Sequence, residues 1–176
     1  MVSPAQALGE REAIDAVWRT LASIPDPEIP VVSIVELGIV RDVAYENGMV
    51  VVTVTPTYSG CPATEVIAAD IERALATSGV GRFRVRTRLD PAWTTEWIAP
   101  AARERLRAFG IAPPGERTEL RTVDVRSLRR SAGAAVPCPR CGSSRTRELS
   151  RFGSTPCKAQ YRCDDCLEPF DYFKPH

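Results

Sequence analysis

The chain has 176 residues, 44% of them hydrophobic and 26% charged, which suits one medium domain or a domain of about 100 residues with a small appendage. A formal net charge of +1 argues against a globally polyanion-seeking protein, and the apolar runs break well before the roughly 18 residues a membrane helix needs. No basic head followed by a hydrophobic stretch opens the sequence, so neither a membrane span nor a secretory signal is expected, and the cytoplasm is the expected compartment.

The charge is uneven. Residues 1–99 hold 8 basic and 13 acidic side chains, whereas residues 100–176 hold 15 basic and 9 acidic, so two bodies with different surfaces are expected. The cysteines divide likewise: Cys61 stands alone in the first part, and Cys138, Cys141, Cys157, Cys163 and Cys166 crowd the last 39 residues. In a reducing compartment that crowding favours metal ligation over a disulfide framework.

In chain order, Ile14, Val17, Trp18 and Leu21 follow helical spacing and predict a helix over 9–23 with one buried stripe. Pro25, Pro27 and Pro30 forbid its continuation and leave a stiff loop that displays Asp26 and Glu28. Residues 31–43 are β-rich, Glu46, Asn47 and Gly48 supply a turn, and 49–55 read as the returning strand of a hairpin. Val51, Val52 and Val54 suggest that both faces of that strand are covered.

A loop over 55–61 then leads to Pro62, well suited to a first helical position, and to a helix over 63–77 with Val66, Ile67, Ile71 and Leu75 inward and Gly79 beyond its end. Phe83, Val85 and Leu89 alternate with arginines, which predicts a half-exposed strand over 82–90, and a short helix over 100–109 stops at Gly110. The expected fold is α+β. A small α/β sandwich (helix, β-hairpin, helix, strand, helix) spans 8–110, a proline- and arginine-rich connector spans 111–135, and an all-β zinc ribbon spans 136–176.

The ribbon rests on Cys138 and Cys141, followed by Cys163 and Cys166. Two Cys-x-x-Cys turns can offer four thiolates to one tetrahedral ion, and Gly142 suits the tight first turn. The segment between is long enough for a hairpin, with Phe170, Tyr172 and Phe173 as a third strand. Structural zinc is the favoured ion, against an iron centre or a redox dithiol, and four closed ligands leave no open catalytic position. Cys157 reads as a small hydrophobe of the hairpin or, beside Lys158, as an additional ligand or partner-facing thiol. His176, the sole histidine, is expected to be a solvated tail residue, which removes internal Ser–His and Cys–His dyads.

Cys61 sits between Gly60 and Pro62 at the expected start of a helix, where free N–H groups and the helix dipole lower a thiol's pKa. The residues alone leave a buried structural cysteine and a functional thiol on an equal footing, with Asp26 and Glu28 either as nearby carboxylates or as loop caps. Arg82, Arg84, Arg86 and Arg88 share one strand face, by default solvated and alternatively facing an acidic partner. Trp93 and Trp97 read as core or interface aromatics.

The segments DPEIPVVSI (26–34), ELGIV (36–40) and TPTYSGCP (55–62) closely resemble the small domain of iron–sulfur cluster assembly factors of the eukaryotic cytosolic type and their bacterial relatives, over about residues 10–110. With the tail FGSTPCKAQYRCDDCLEPFDYFKPH, the whole chain resembles the family of D components that accompany the ring-1,2-phenylacetyl-CoA epoxidase of aerobic phenylacetate breakdown. The resemblance implies an accessory protein of a multicomponent oxygenase that helps to assemble or repair metal centres in a di-iron oxygenase component or an iron–sulfur flavin reductase. It implies a functional surface of Asp26, Glu28 and the 55–62 loop with Thr55, Thr57, Gly60 and Cys61, where an iron ion or iron–sulfur cluster is held transiently. One cysteine cannot hold a cluster, so a second copy of the chain or the carboxylates would complete the site. Lys174, Pro175 and His176 stand where some relatives carry a further cysteine. A stoichiometric docking subunit and a nucleic-acid-binding ribbon are the alternatives; Asp164, Asp165, Glu168 and Asp171 argue against the second. Independent catalysis is not expected, since no phosphate-cradling glycine loop and no open metal set is visible.

Overall fold

The computed structural model describes residues 4–58, 60–115 and 136–175. Expectations for Ser59, for residues 116–135 of the connector and for His176 lie outside the described residues. The fold is α+β, in two compact units, Met1–Ala102 and Arg103–His176.

The first unit opens with α1 (Pro4–Ala22), five residues earlier than its apolar stripe predicts, because a proline is tolerated in a first helical turn. Val17 and Leu21 are fully buried, while Ile14 and Trp18 are half-buried. The proline loop follows, but it buries Asp26 and half-buries Glu28 instead of displaying both, because Asp26 turns inward to cap the loop's own N–H groups, and residues 31–39 are not strand. Ser33 and Glu36 form a reciprocal capping box: the Ser33 N–H donates to Glu36 Oε2 at 2.9 Å and the Glu36 N–H to Ser33 Oγ at 3.2 Å. This turn buries Ile29, Val32, Ile34 and Leu37 without any ladder. It closes at Gly38, whose φ of 71° and whose backbone, pressed against Trp97, leave no room for a side chain: a Cβ there would lie 2.6 Å from Trp97 Cβ.

Strands β1 (Val40–Glu46) and β2 (Met49–Val54) form the expected hairpin, with Asn47 and Gly48 both at positive φ as a type I′ turn requires. Val50, Val51, Val52, Thr53 and Val54 are all buried, so β2 is covered on both faces. Helix α2 (Ala63–Thr77) buries Ile67, Ile71 and Leu75 but leaves Val66 exposed, and it carries the chain to β3 (Phe83–Thr87), parallel to β2. The strand is shorter than expected: Leu89 is exposed beyond its end. Sheet order is β1-β2-β3. Trp93 is buried and its Nε1–H donates to the Leu37 carbonyl at 2.9 Å. Helix α3 (Pro100–Phe109) starts in this unit, continues into the second and ends at Gly110, φ 96°.

The second unit holds β4 (Ile111–Ala112), β5 (Thr146–Ser150), β6 (Lys158–Cys163) and β7 (Pro169–Phe173), in the order β4-β7-β6-β5. β5, β6 and β7 are the expected antiparallel three strands. β4 adds in parallel to β7, through Ile111 and Ala112 from the segment whose composition reads as connector. One buried cluster is formed by Ala112, Val136, Cys138, Cys163 and Phe170, flanked by Tyr161 and Tyr172, and Leu106, Ile111, Cys157, Ala159 and Phe173 are buried as well. No helix among the described residues is long and apolar enough to cross a membrane.

Candidate metal centre and thiol loop

Cys138, Cys141, Cys163 and Cys166 converge so that their four sulfurs all lie within 4.8 Å of one another. Two of the approaches are 3.7 Å (Cys138 to Cys166) and 3.6 Å (Cys141 to Cys163). A tetrahedron with Zn–S bonds of about 2.3 Å has edges of about 3.8 Å, so the donor set fits a zinc-sized ion. Each knuckle is a matched turn. The residue after its second cysteine, Gly142 or Leu167, adopts positive φ (75° and 64°). Backbone N–H groups point at the sulfurs. Those of Cys166 and Asp165, against the opposing cost of desolvation, hold the Cys163 thiol at about 7, and that of Ser143 reaches Cys141. Arg147 pairs with Asp164 at 3.2 Å and Arg145 with Asp165 at 3.1 Å, exposed ties that contribute little. Ser143 Oγ also donates to Asp165.

Cys157 stands apart from this group. It is buried in the β5–β6 connection, its sulfur 3.0 Å from Thr155 Oγ1, its carbonyl accepting from the Lys174 N–H at 2.9 Å. Lys158 is buried beside Asp171, 3.6 Å from its carboxylate.

In the first unit, Cys61 is half-buried at the mouth of α2. Its N–H donates to the Tyr58 carbonyl at 3.0 Å, and its carbonyl accepts from Thr64 N and Thr64 Oγ1 at 3.2 and 2.9 Å. The fold brings Asp26 and Glu28 close enough to act on this sulfur. Its pKa is nevertheless raised, not lowered as the helix start predicts. Desolvation is the largest cause; the Ala63 N–H opposes it, and the negative charges of Glu28 and then Asp26 raise it further. Asp26, only 6% exposed, also caps the loop: its Oδ1 accepts from the N–H groups of Glu28 and Ile29 at 2.9 and 2.8 Å. Both readings of Asp26 therefore hold at once. Thr57 is half-buried and Gly60 exposed in the same loop.

Thr55 belongs elsewhere as well. With Thr53 it faces a cavity of about 480 Å³ on the arginine side of the sheet, lined further by Arg41, Arg86, Arg88 and Trp97. Arg86 Nη2 donates to Glu46 at 2.8 Å, and Arg41 lies 3.4 Å over the Trp97 ring. Partial burial pulls Arg41 below the usual guanidinium value. Strand period groups Arg86 with Arg88 but gives no sign of Arg41, whose partner Trp97 lies 56 positions away in the chain.

Two family models match: PaaD zinc beta ribbon domain over residues 123–174, and iron–sulfur cluster assembly protein over residues 14–85. A protein of Escherichia coli K12 assigned as the D component of 1,2-phenylacetyl-CoA epoxidase is 50% identical over 161 residues, 92% of either chain. An Fe-S protein maturation auxiliary factor of Bacillus subtilis is 35% identical over 89 residues, 49% of this chain and 86% of that one. A crystal structure of a domain of unknown function, DUF59, from Bacillus anthracis matches with a TM-score of 0.53 at 31% identity, over 57% of this chain and 96% of that one. With half of the positions identical across both the assembly-type domain and the ribbon that follows it, the chain belongs to the PaaD family, the D components of 1,2-phenylacetyl-CoA epoxidase.

Proposed function

We propose that this chain is a cytoplasmic accessory protein of the multicomponent ring-1,2-phenylacetyl-CoA epoxidase of aerobic phenylacetate breakdown, assisting the assembly or repair of iron–sulfur or di-iron centres in partner components. The partners are the di-iron oxygenase and the iron–sulfur flavin reductase. The first domain, 8–110, handles the cargo; the ribbon, 136–176, holds one structural zinc through Cys138, Cys141, Cys163 and Cys166. The observation that carries this reading is one half-buried thiol, Cys61, with two carboxylates, Asp26 and Glu28, acting on it.

Chemically, that set suits brief tenure of a cation. Thiolate and carboxylate are both iron ligands, yet one sulfur with two carboxylates is too sparse to retain a cluster, so a second copy or the recipient protein completes the coordination. Burial and, after it, the two carboxylates disfavour the thiolate while the site is free, and a bound cation would favour it, so loading and deprotonation are coupled.

The test is Cys61→Ser. The variant is expected to keep its fold and its ribbon metal, while iron and acid-labile sulfide in co-expressed epoxidase components, and their turnover, fall. Unchanged metal content and turnover in the partners would overturn the reading. Co-purification in fixed ratio, with turnover that needs the continued presence of the chain whether or not Cys61 is intact, would assign it a docking role instead.

A further inference from the structure

The cavity on the arginine face of the first unit is not part of the thiol loop: Cys61, Asp26 and Glu28 do not line it. Its floor is a cross-strand row in which Asp42 of β1, Thr53 of β2 and Arg86 of β3 stand in register. Two residues on from Thr53, just past the end of β2, Thr55 lines the same cavity, as strand period places it. Both threonines are almost closed to bulk solvent, at 4% and 2% exposure, and so form the inner end of the cavity.

The walls are mostly cationic. Arg41, Arg86 and Arg88 face Asp42 and Glu46, and Glu46 engages only one nitrogen of Arg86. Arg86 Nε is buried and has no hydrogen-bond partner among the described residues. The Arg86 side chain as a whole is 41% exposed, so its guanidinium reaches the cavity, and an oxyanion that draws it outward would also give Nε an acceptor. Arg41 is held in place by its stack on Trp97, so its charge is presented at little further cost in side-chain entropy. At about 480 Å³ the space falls within the range of small-ligand sites.

We propose that this cavity binds a phosphate group, free or as the head of a small metabolite, through the guanidinium groups of Arg86 and Arg88, with Thr53 and Thr55 beneath.

Isothermal titration with inorganic diphosphate tests it, on the full-length zinc-loaded chain. Wild type is expected to bind saturably, with Arg86→Gln and Arg88→Gln each weakening affinity about tenfold or more, as loss of a charge-assisted contact predicts. Arg84→Gln, on the same strand but not lining the cavity, is expected to bind as wild type, and it controls for the loss of one positive charge from that strand. Circular dichroism verifies that each variant is folded, and the two cavity variants give independent readings should one of them fail to fold. Adenosine 5′-diphosphate binding more tightly than diphosphate would identify a metabolite head, and equal affinity a free anion; either supports the site. No saturable binding at millimolar diphosphate, or undiminished binding by Arg86→Gln and Arg88→Gln, overturns it. Because Cys61 lies outside the cavity, that failure would leave the cargo reading untouched.

Discussion

Stripping the metal from the four-sulfur centre is expected to unfold the second unit and leave the first standing. The magnitude follows from how little else holds the ribbon. One buried cluster has five residues, of which Cys138 and Cys163 belong to the donor set, leaving Ala112, Val136 and Phe170 with two flanking tyrosine rings; beyond it the strands bury Ile111, Ala159 and Phe173, still few large side chains for a unit of this size. A structural zinc in such a unit supplies on the order of 10 kcal/mol, comparable with the whole net stability of an ordinary domain, so the ion-free ribbon has no margin. The first unit has a core of its own, with Val17, Leu21, Ile34, Ile71 and Leu75 fully buried. Spectroscopy separates the two, because Trp18, Trp93 and Trp97 all fall in Met1–Ala102 while Tyr161 and Tyr172 pack edge to face, 5.4 Å apart, in the ribbon. A strong chelator, or Cys163→Ser, should remove the share of the near-ultraviolet tyrosine signal that comes from Tyr161 and Tyr172, and amide protection in β5, β6 and β7, while the share of Tyr45 and Tyr58, tryptophan emission and its thermal transition persist. Metal analysis should return one ion per chain before treatment. Tyrosine ellipticity that is undiminished, and β6 protection that survives, after complete removal of the ion would refute this dependence on the metal.

Two further outcomes follow from local geometry. Since desolvation and the Glu28 and Asp26 charges raise the Cys61 pKa above the ordinary thiol value of 9.0, the protonated thiol dominates at neutral pH. Alkylation followed site by site in mass spectrometry should therefore rise only at a pH above that of a free thiol, and Glu28→Gln should shift the profile to lower pH; a wild-type midpoint at or below 9.0 contradicts this. Leu167 occupies a left-handed conformation (φ 64°) with 59% of its surface exposed, so Leu167→Gly removes strain at little loss of burial. It should stabilise the metal-loaded ribbon by about 1 kcal/mol in denaturant titrations; a destabilisation of that size would show that the exposed side chain packs in a way the strain argument ignores.

Much of the fold was legible because its signals are local. The three-proline stop after α1, the Asn47–Gly48 turn, the α2 stripe and the glycine after α3 each act within a few residues, and each element formed where those signals put it. The ribbon was equally legible, since Cys-x-x-Cys spacing encodes half of a tetrahedron by itself. Residues 31–39 misled because valine and isoleucine mark burial as well as strand: there they fill the core from a turn that Ser33 and Glu36 cap, and the capping pair was visible in the sequence as S-x-x-E. β4 was hidden because a two-residue strand has no period of its own and exists only through its partner β7.

The sequence reads the pKa of the Cys61 thiol with the wrong sign, and the reason bears on function. The sequence shows the helix start that lowers a thiol's pKa but cannot weigh it against burial, nor against charges that only the folded proline loop brings near. Asp26 is committed to that loop by two backbone N–H groups, so its charge near Cys61 is a fixed consequence of the loop's own capping. A thiol kept protonated by burial, with the charges of Glu28 and Asp26 adding to it, is a poor resident ligand and a poor nucleophile at rest. On the proposed reading it becomes a good ligand when a cation arrives, releasing a proton as it binds. That behaviour supports transient carriage over storage, and it predicts that iron binding at this site tightens as pH rises, with Glu28→Gln weakening the metal even as it lowers the thiol's pKa. A variant that gained metal affinity along with thiol acidity would mean that the carboxylate is not a ligand.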